Sequence, residues 1–307
     1  MDGFVLTWAG ECSSWECDDL GHLNMRYYVR KFGQARAGLF VRLGLTHAYK
    51  PGTSSTVRVR DFHIRYQAEA HPGNPLKVMS AILQLHEDTV QLCHIMYHED
   101  GRVAASAVET VEHFYLTAHR TFAWPKRVQL SAKTFTVPMP DVAKPRNIDL
   151  SVAHIGRTAQ VLRDAGLCPV GTGVFEASET DITEYVTAGA IFGRTTSSIA
   201  WFRDGWPELY DHAYREANLS AALLEARLVF HNHPQQGDAY DYMPVLVGAD
   251  AYTRRFVHNL VDPISGESWA TMEACGCKFD LNTRRLIKMT EADIASLMAA
   301  AKPDLTP

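Results

Sequence analysis

The sequence predicts an α+β protein built from two tandem copies of one domain, each an antiparallel sheet curled around a single long helix. Three observations carry this expectation. The C-terminal half repeats the pattern of the N-terminal half, a long helical stripe precedes a series of alternating segments, and 307 residues suffice for two domains with their own cores. The composition, 46% hydrophobic and 21% charged, is that of a globular chain rather than a disordered or fibrous one.

The repeat is visible without gaps where residues 64–74 lie over 228–238. In both stretches an apolar strand pattern runs into a turn, at Gly73 and Asn74 in one and Gly237 and Asp238 in the other. Asp100, Gly101 and Arg102 then lie over Ser265, Gly266 and Glu267. The segments that follow, 103–116 and 268–281, keep step to Phe114 and Phe279. One inserted residue holds the halves in register across the whole sheet region. A period this long marks a duplicated domain, not a solenoid.

Within the first copy, the alternating segment Phe4 to Cys12 predicts a strand. Tyr28, Phe32, Ala35, Leu39 and Leu43 then recur at helical spacing, with Arg26, Arg30, Gln34 and Arg42 largely off that stripe. A helix over this stretch should stop near Leu43 and Gly44, where glycine can turn left-handed. Strands are expected over 55–68, 76–86, 89–98 and 103–116. The inward parity switches between Val57 and Val59 on one side and Phe62, Ile64 and Tyr66 on the other, which predicts a bulge near Asp61. Three prolines in the nine residues Val137 to Pro145 mark a linker. A short helix is expected over 151–165, and a lid or packing helix over 206–218. Thr290 and Asp293 form a capping-box-like start to a last helix reaching Ala301. The tail, 302–307, is expected to fray. The domain boundaries so read are 1–120, a linker with a short helix at 121–166, 167–289, and a C-terminal helix and tail at 290–307. A sheet that curls around the helix buries its stripe, and two such copies can pair as a pseudo-dimer.

Several function classes are disfavoured. A formal charge of −5 argues against nucleic acid or an anionic membrane as main partner. No apolar run approaches the roughly 20 residues of a membrane-spanning helix. The N-terminus has no basic and apolar leader, so a cytoplasmic location is expected. Six scattered cysteines read as reduced thiols. His231 and His233 have no second pair of ligands, so no metal is assigned. No P-loop, dinucleotide fingerprint or nucleophile elbow is present, and no cofactor is expected.

Chemistry points to Asp18–Asn24, at the junction of the first strand and the long helix. A carboxylate, a glycine and free helix amides fall there within one turn of each other. Such an arrangement can hold a carbonyl oxygen on the helix N-terminus while the carboxylate faces the carbonyl carbon. The competing explanation is that Asp18 or Asp19 simply caps the helix.

Asp18, Gly21, His22 and Asn24, with Tyr27 and Tyr28 just beyond, resemble the motif of the hotdog-fold acyl-CoA thioesterases of the 4-hydroxybenzoyl-CoA thioesterase superfamily. The order of strand, Asp-containing loop, long helix and four strands is also that family's order, and the 97–102 turn resembles its late hairpin. The resemblance covers residues 4 to 117 well, and 167 to 288 mainly through the repeat. It implies a tandem, double-hotdog chain that hydrolyses an acyl-CoA at a site between two units. Asp18 would then be nucleophile or general base, and the Gly21 amide would polarise the thioester carbonyl. His22 and Asn24 would hold the loop or orient water, and Tyr28 would line the acyl pocket.

With an offset of 163 the second copy keeps a carboxylate, Asp181, but has Glu184, Tyr185 and Thr187 in place of Gly21, His22 and Asn24. One working site around Asp18 is therefore expected, with Asp181 a cap and Glu184 an alternative centre. Arg58, Arg60, Arg65, Lys77, His119 and Arg120 are candidates for the phosphates of coenzyme A. The alternatives are a non-catalytic acyl-CoA-binding hotdog protein and a hotdog hydratase or dehydratase. Whether such pseudo-dimers associate further into a homo-oligomer is left open.

Overall fold

The predicted central helix forms as α1 (Met25–Arg42), and its apolar stripe is what the first sheet closes on. The computed structural model describes residues 3–210 and 216–307. The chain divides into two units, one made of Met1–Lys144 with Ala177–Phe192, the other of Pro145–Glu176 with Gly193–Pro307.

In the first unit, β1 (Val5–Glu11) leads to α1. Then follow β2 (Ser55–Tyr66), β3 (Pro75–Leu85), β4 (Thr89–His98), β5 (Val103–Tyr115), the short β6 (Arg120–Thr121) and α2 (Lys126–Ala132). The strands lie in the order β1-β3-β4-β5-β2, all antiparallel, with β6 on β5. Tyr28, Phe32, Ala35, Leu39 and Leu43 are all buried, as the helical spacing requires. The Phe32 ring packs against Phe62 of β2 and His94 of β4, at 6.4 and 5.8 Å between centroids. Burying one such ring contributes roughly 1.5–3 kcal/mol. Gly38 lets α1 lie on β1, since a Cβ there would meet the Thr7 carbonyl at 2.5 Å. The helix ends with Leu43 as cap and Gly44 at φ +90°. The β2–β5 register slips between Val59 and Asp61, where the parity switch predicts it. The proline-rich linker forms neither α-helix nor strand but packs on the sheet's other face. There Ala143 joins Cys93, Ile95 and Val108 in one cluster, and the Val142 carbonyl accepts from Ser106 and Arg65.

The second unit contains α3 (Ala159–Asp164), β7 (Gly171–Val174), the end of α4 (Ala188–Ser198), β8 (Leu219–Phe230), β9 (Ala239–Ala249), β10 (Thr253–Val261), β11 (Ser268–Asp280), β12 (Arg285–Leu286) and α5 (Glu291–Ala300). Its strands follow the order β8-β11-β10-β9-β7, with β12 on β11. The element bounds repeat those of the first half. β2 and β8 are both 12 residues and start 164 apart, as do the 11-residue β3 and β9. β5 and β11 are both 13 residues and start 165 apart.

Two expectations are corrected, and a third lies partly outside the described residues. The helix expected over 151–165 begins only at Ala159, because Thr158 caps it there. The stretch before it packs on the strands: a Cβ at Gly156 would meet His231 at 2.8 Å and Ser268 at 2.9 Å. The tail does not fray. Lys302 donates its N–H to Leu246, Leu305 joins the core with Leu162, Val245 and Val257, and the Thr306 carbonyl accepts from Arg157. Of the lid or packing helix expected over 206–218, Pro207–Tyr210 form one 3-10 turn, and residues 211–215 lie outside the described residues. The Thr290–Asp293 capping box forms and starts α5. All six cysteines are free. Among the described residues, no helix is long and apolar enough to cross a membrane.

Candidate active site

Residues 12–24 reach α1 through two successive turns, and each is closed by its own backbone. A 3-10 turn at Ser14–Glu16 is boxed by Ser13 and Glu16. The Glu16 carboxylate also meets the buried Lys31 ammonium at 2.5 Å, which ties the loop to the side of α1. Cys17 and Leu23 then pair as an isolated bridge, and the turn between them carries Asp18. Asp18 N–H donates to the His22 carbonyl at 2.9 Å, and Gly21 N–H donates to the Asp18 carbonyl at 3.1 Å. The Asp18 Oδ1 accepts two amides, Leu20 at 3.0 Å and His22 at 3.2 Å.

Gly21 stands at φ +76°, and a Cβ built there would meet nothing within 4 Å. The Gly21 amide, which the resemblance implies would polarise a thioester carbonyl, is not a helix amide. A left-handed residue cannot belong to a right-handed helix. The helix starts at Met25, capped by Asn24, whose Oδ1 accepts from Arg26 N–H at 3.1 Å. The Gly21 amide is thus turned back onto Asp18, and the first helix amide belongs to Met25.

The residues singled out from the sequence converge here in different ways. Asp18, Gly21 and His22 share one turn, while Asn24 is the buried helix cap with its own N–H bonded to the Glu16 carbonyl. Tyr28 lies one turn further along. Its hydroxyl donates to the Ala68 carbonyl at 3.5 Å and accepts from Ala70 N–H at 3.2 Å. Burial pushes its pKa up, so it stays a neutral phenol that fixes the irregular segment beyond β2.

That segment brings in residues the sequence reading missed. Glu69 Oε2 lies 3.5 Å from His22 Nε2, and the His71 ring meets His22 edge-on at 4.8 Å. Nothing local in the sequence relates residue 22 to 69 or 71. A second missed constellation crosses the sheet under α1. Ser80 Oγ is 2.6 Å from His94 Nδ1, His94 Nε2 is 2.9 Å from Glu109, and Arg36 of α1 meets Glu109 at 2.6 Å. Ser80, His94 and Glu109 are fully buried, so this chain of bonds is a fastening between helix and sheet and not a nucleophile facing substrate. Burial alone would raise the Glu109 pKa, but Arg36 and His94 outweigh it and hold the carboxyl below its usual range.

The second carboxylate turn, also in the first unit, repeats the first. Asp181 N–H donates to Tyr185 at 2.9 Å and Glu184 N–H to Asp181 at 3.0 Å, with Glu184 at φ +67°. Asp181 Oδ1 binds its own neighbour, the Thr183 amide and hydroxyl. Two of the candidate phosphate ligands have structural partners. Arg58 is paired with Glu112 and stacked over Phe114, and Arg65 caps the Val142 and Lys144 carbonyls. Arg60 lies 3.7 Å from Glu112, while Lys77, His119 and Arg120 are exposed.

Residues 12–132 match the family described as the Thioesterase-like superfamily. Over 127 residues the chain is 28% identical to an L-carnitine dehydrogenase/betainyl-CoA thioesterase of Agrobacterium fabrum. The match takes in 40% of this chain and 26% of that protein's length. Nearly the whole fold is shared with two solved structures. An acyl-ACP thioesterase from Bacteroides thetaiotaomicron aligns with TM-score 0.62 at 12% identity, covering 89% of this chain and 98% of the other. The 12:0-ACP thioesterase of Umbellularia californica gives TM-score 0.62 at 9% identity, covering 89% and 97%.

Proposed function

We propose that the protein hydrolyses an acyl-CoA thioester, with Asp18 as its reacting carboxylate, a reading supported by the match of residues 12–132 to the Thioesterase-like superfamily. The observation that carries this reading is the Asp18 turn itself. Its Oδ1 is held by two backbone amides, which leaves Oδ2 for a substrate or a water. The side chain is thereby fixed, and among the described residues no hydrogen bond to a side chain takes the second oxygen.

The chemistry follows from that geometry. Oδ2 either attacks the thioester carbon, giving a mixed anhydride and releasing the thiolate, or takes a proton from a water that attacks instead. Negative charge then develops on the carbonyl oxygen. Because Gly21 N–H is directed to Asp18, the group best suited to receive that oxygen is the N-terminus of α1 at Met25, where the helix dipole favours negative charge. The missing side chain at Gly21 keeps the approach to the turn open. His22, braced by Glu69, would orient the water. The two halves of the chain are read as copies of one domain of which only the first retains the reacting turn.

The acyl group is the part the fold leaves widest. The relative from Agrobacterium fabrum carries betainyl-CoA in its name, so a small cationic acyl chain is the first to try, with medium, long and aromatic chains beside it. Release of free thiol by the wild type, collapsing in Asp18→Ala, is the expected outcome. Release that survives this substitution would sink the assignment of Asp18. Tight acyl-CoA binding without release from any substrate would favour a binding module.

A further inference from the structure

His22, Glu69 and His71 present two imidazoles and one carboxylate whose donor atoms all lie within 4.8 Å of one another. This donor set is the kind that borderline divalent metals such as Zn²⁺ or Co²⁺ take. From this cluster we infer a transition-metal site on the rim of the Asp18 turn, independent of whether the protein hydrolyses thioesters.

Spacing supports the inference. Zinc bonds of about 2.0–2.2 Å to nitrogen and oxygen place two tetrahedral donors roughly 3.4 Å apart. His22 Nε2 and Glu69 Oε2 already stand 3.5 Å apart. His71 is exposed, and its ring can turn to complete the set without moving the backbone.

The backbones that carry these donors are fixed before any ion arrives. Ala70, between Glu69 and His71, is fully buried and held at both ends. Its N–H bonds the Tyr28 hydroxyl at 3.2 Å, and its carbonyl accepts Leu23 N–H at 2.8 Å. His71 N–H is further bonded to Asn74 Oδ1 at 2.9 Å. On the facing side, His22 is bonded to Asp18 through both its amide and its carbonyl. Little chain entropy is therefore lost on binding. The three residues come from two segments 47 to 49 positions apart in the chain, which is why no ligand spacing marks them in the sequence.

A bound ion would also act on the turn. His22 N–H and C=O both bracket Asp18, so clamping the His22 ring fixes the backbone that holds the Asp18 carboxylate.

The test is a Zn²⁺ titration against a chromophoric chelator, followed by Co²⁺ absorption, on the full chain carrying Cys168→Ser so that the exposed thiol does not compete. About one equivalent should bind with micromolar affinity. His71→Ala, a substitution at an exposed position, should weaken binding at least tenfold, and Glu69→Gln should do the same. His86→Ala, an exposed histidine outside the cluster, should change nothing. A thermal melt of each variant reports its folding. The inference is overturned if no saturable site appears below about 100 µM, or if a folded His71→Ala variant binds as the wild type does.

Discussion

At residues 18–24 the turn carries Asp18, Gly21, His22 and Asn24. At residues 181–187 the same backbone carries Asp181, Glu184, Tyr185 and Thr187. In each, the aspartate amide donates to the residue four positions on, and the residue three positions on donates back to the aspartate carbonyl. Asn24 and Thr187 donate equally to the carbonyls of Glu16 and Glu179, at 2.9 and 3.0 Å. The left-handed position is kept even where it is unfavourable, for Glu184 holds φ +67° at a cost of roughly 1 kcal/mol that Gly21 avoids. Turn geometry and reactivity are therefore separable. Holding the chain needs only the aspartate and its hydrogen bonds. Admitting a carbonyl needs an open surface at the left-handed position, which Gly21 leaves and the longer Glu184 does not. The aspartates themselves are held alike, each through Oδ1, by two amides in Asp18 and by the Thr183 amide and hydroxyl in Asp181.

The same contrast runs through the core, where the largest effect is expected. Arg36 and Glu109 form a buried pair, and the residues that correspond by the offsets of 163 and 165 are Ile199 and Ala274. The second copy has lost both partners together. Arg36→Ile alone leaves the buried Glu109 with only its His94 hydrogen bond, and should cost about 3–5 kcal/mol in denaturant unfolding. Adding Glu109→Ala should recover much of that loss. A double variant as unstable as the single one would mean that the pair is not what distinguishes the two cores.

Acid stability sharpens the comparison next. His94 has Glu109 beside it, whereas the corresponding His258 bonds the Tyr242 hydroxyl at 2.6 Å, and burial pushes its pKa down to about 3. A histidine depressed in the folded state binds its proton in the unfolded chain first. The stability it contributes is complete above the unfolded value of about 6.5 and is lost as pH falls toward about 3. His258→Gln should therefore flatten the unfolding profile between those limits. An unchanged acid limb would show that other groups govern it.

The smallest effects belong to the turns themselves. Gly21→Ala should lower stability by about 1 kcal/mol, since only the backbone angle is penalised. Glu184→Gly should raise stability by a similar or smaller amount. Opposite signs in chemical denaturation support the shared turn; equal signs break it.

Much of this was legible in the sequence because periodicity and turn residues act locally. The strand at 89–98, the one expected over 55–68 and found at Ser55–Tyr66, the bulge near Asp61, the helical stripe and the capping box at Thr290 all follow from neighbours within a few positions. The Asp18 turn was legible for the same reason, and its repeat at Asp181 exposed which residues had changed. The helix start at Met25 is not legible locally, because Asp18 and Asn24 are both good caps and only the fold selects Asn24. Glu69, His71 and the Arg36–Glu109–His94 chain were hidden because their partners are tens of residues away. The docking of the tail through Leu305 was hidden too, since one leucine among polar residues gives no periodic signal.

The asymmetry between the two carboxylate turns is the central claim, and turnover tests it most directly. Thiol release should be measured, on whichever acyl-CoA the wild type cleaves best, for Asp18→Asn and Asp181→Asn in parallel, with melting temperatures to confirm folding. The account predicts a loss of about 10²–10⁴-fold in kcat for Asp18→Asn and less than about threefold for Asp181→Asn. A large loss from Asp181→Asn with Asp18→Asn near wild type would contradict it and move the chemistry to the second turn.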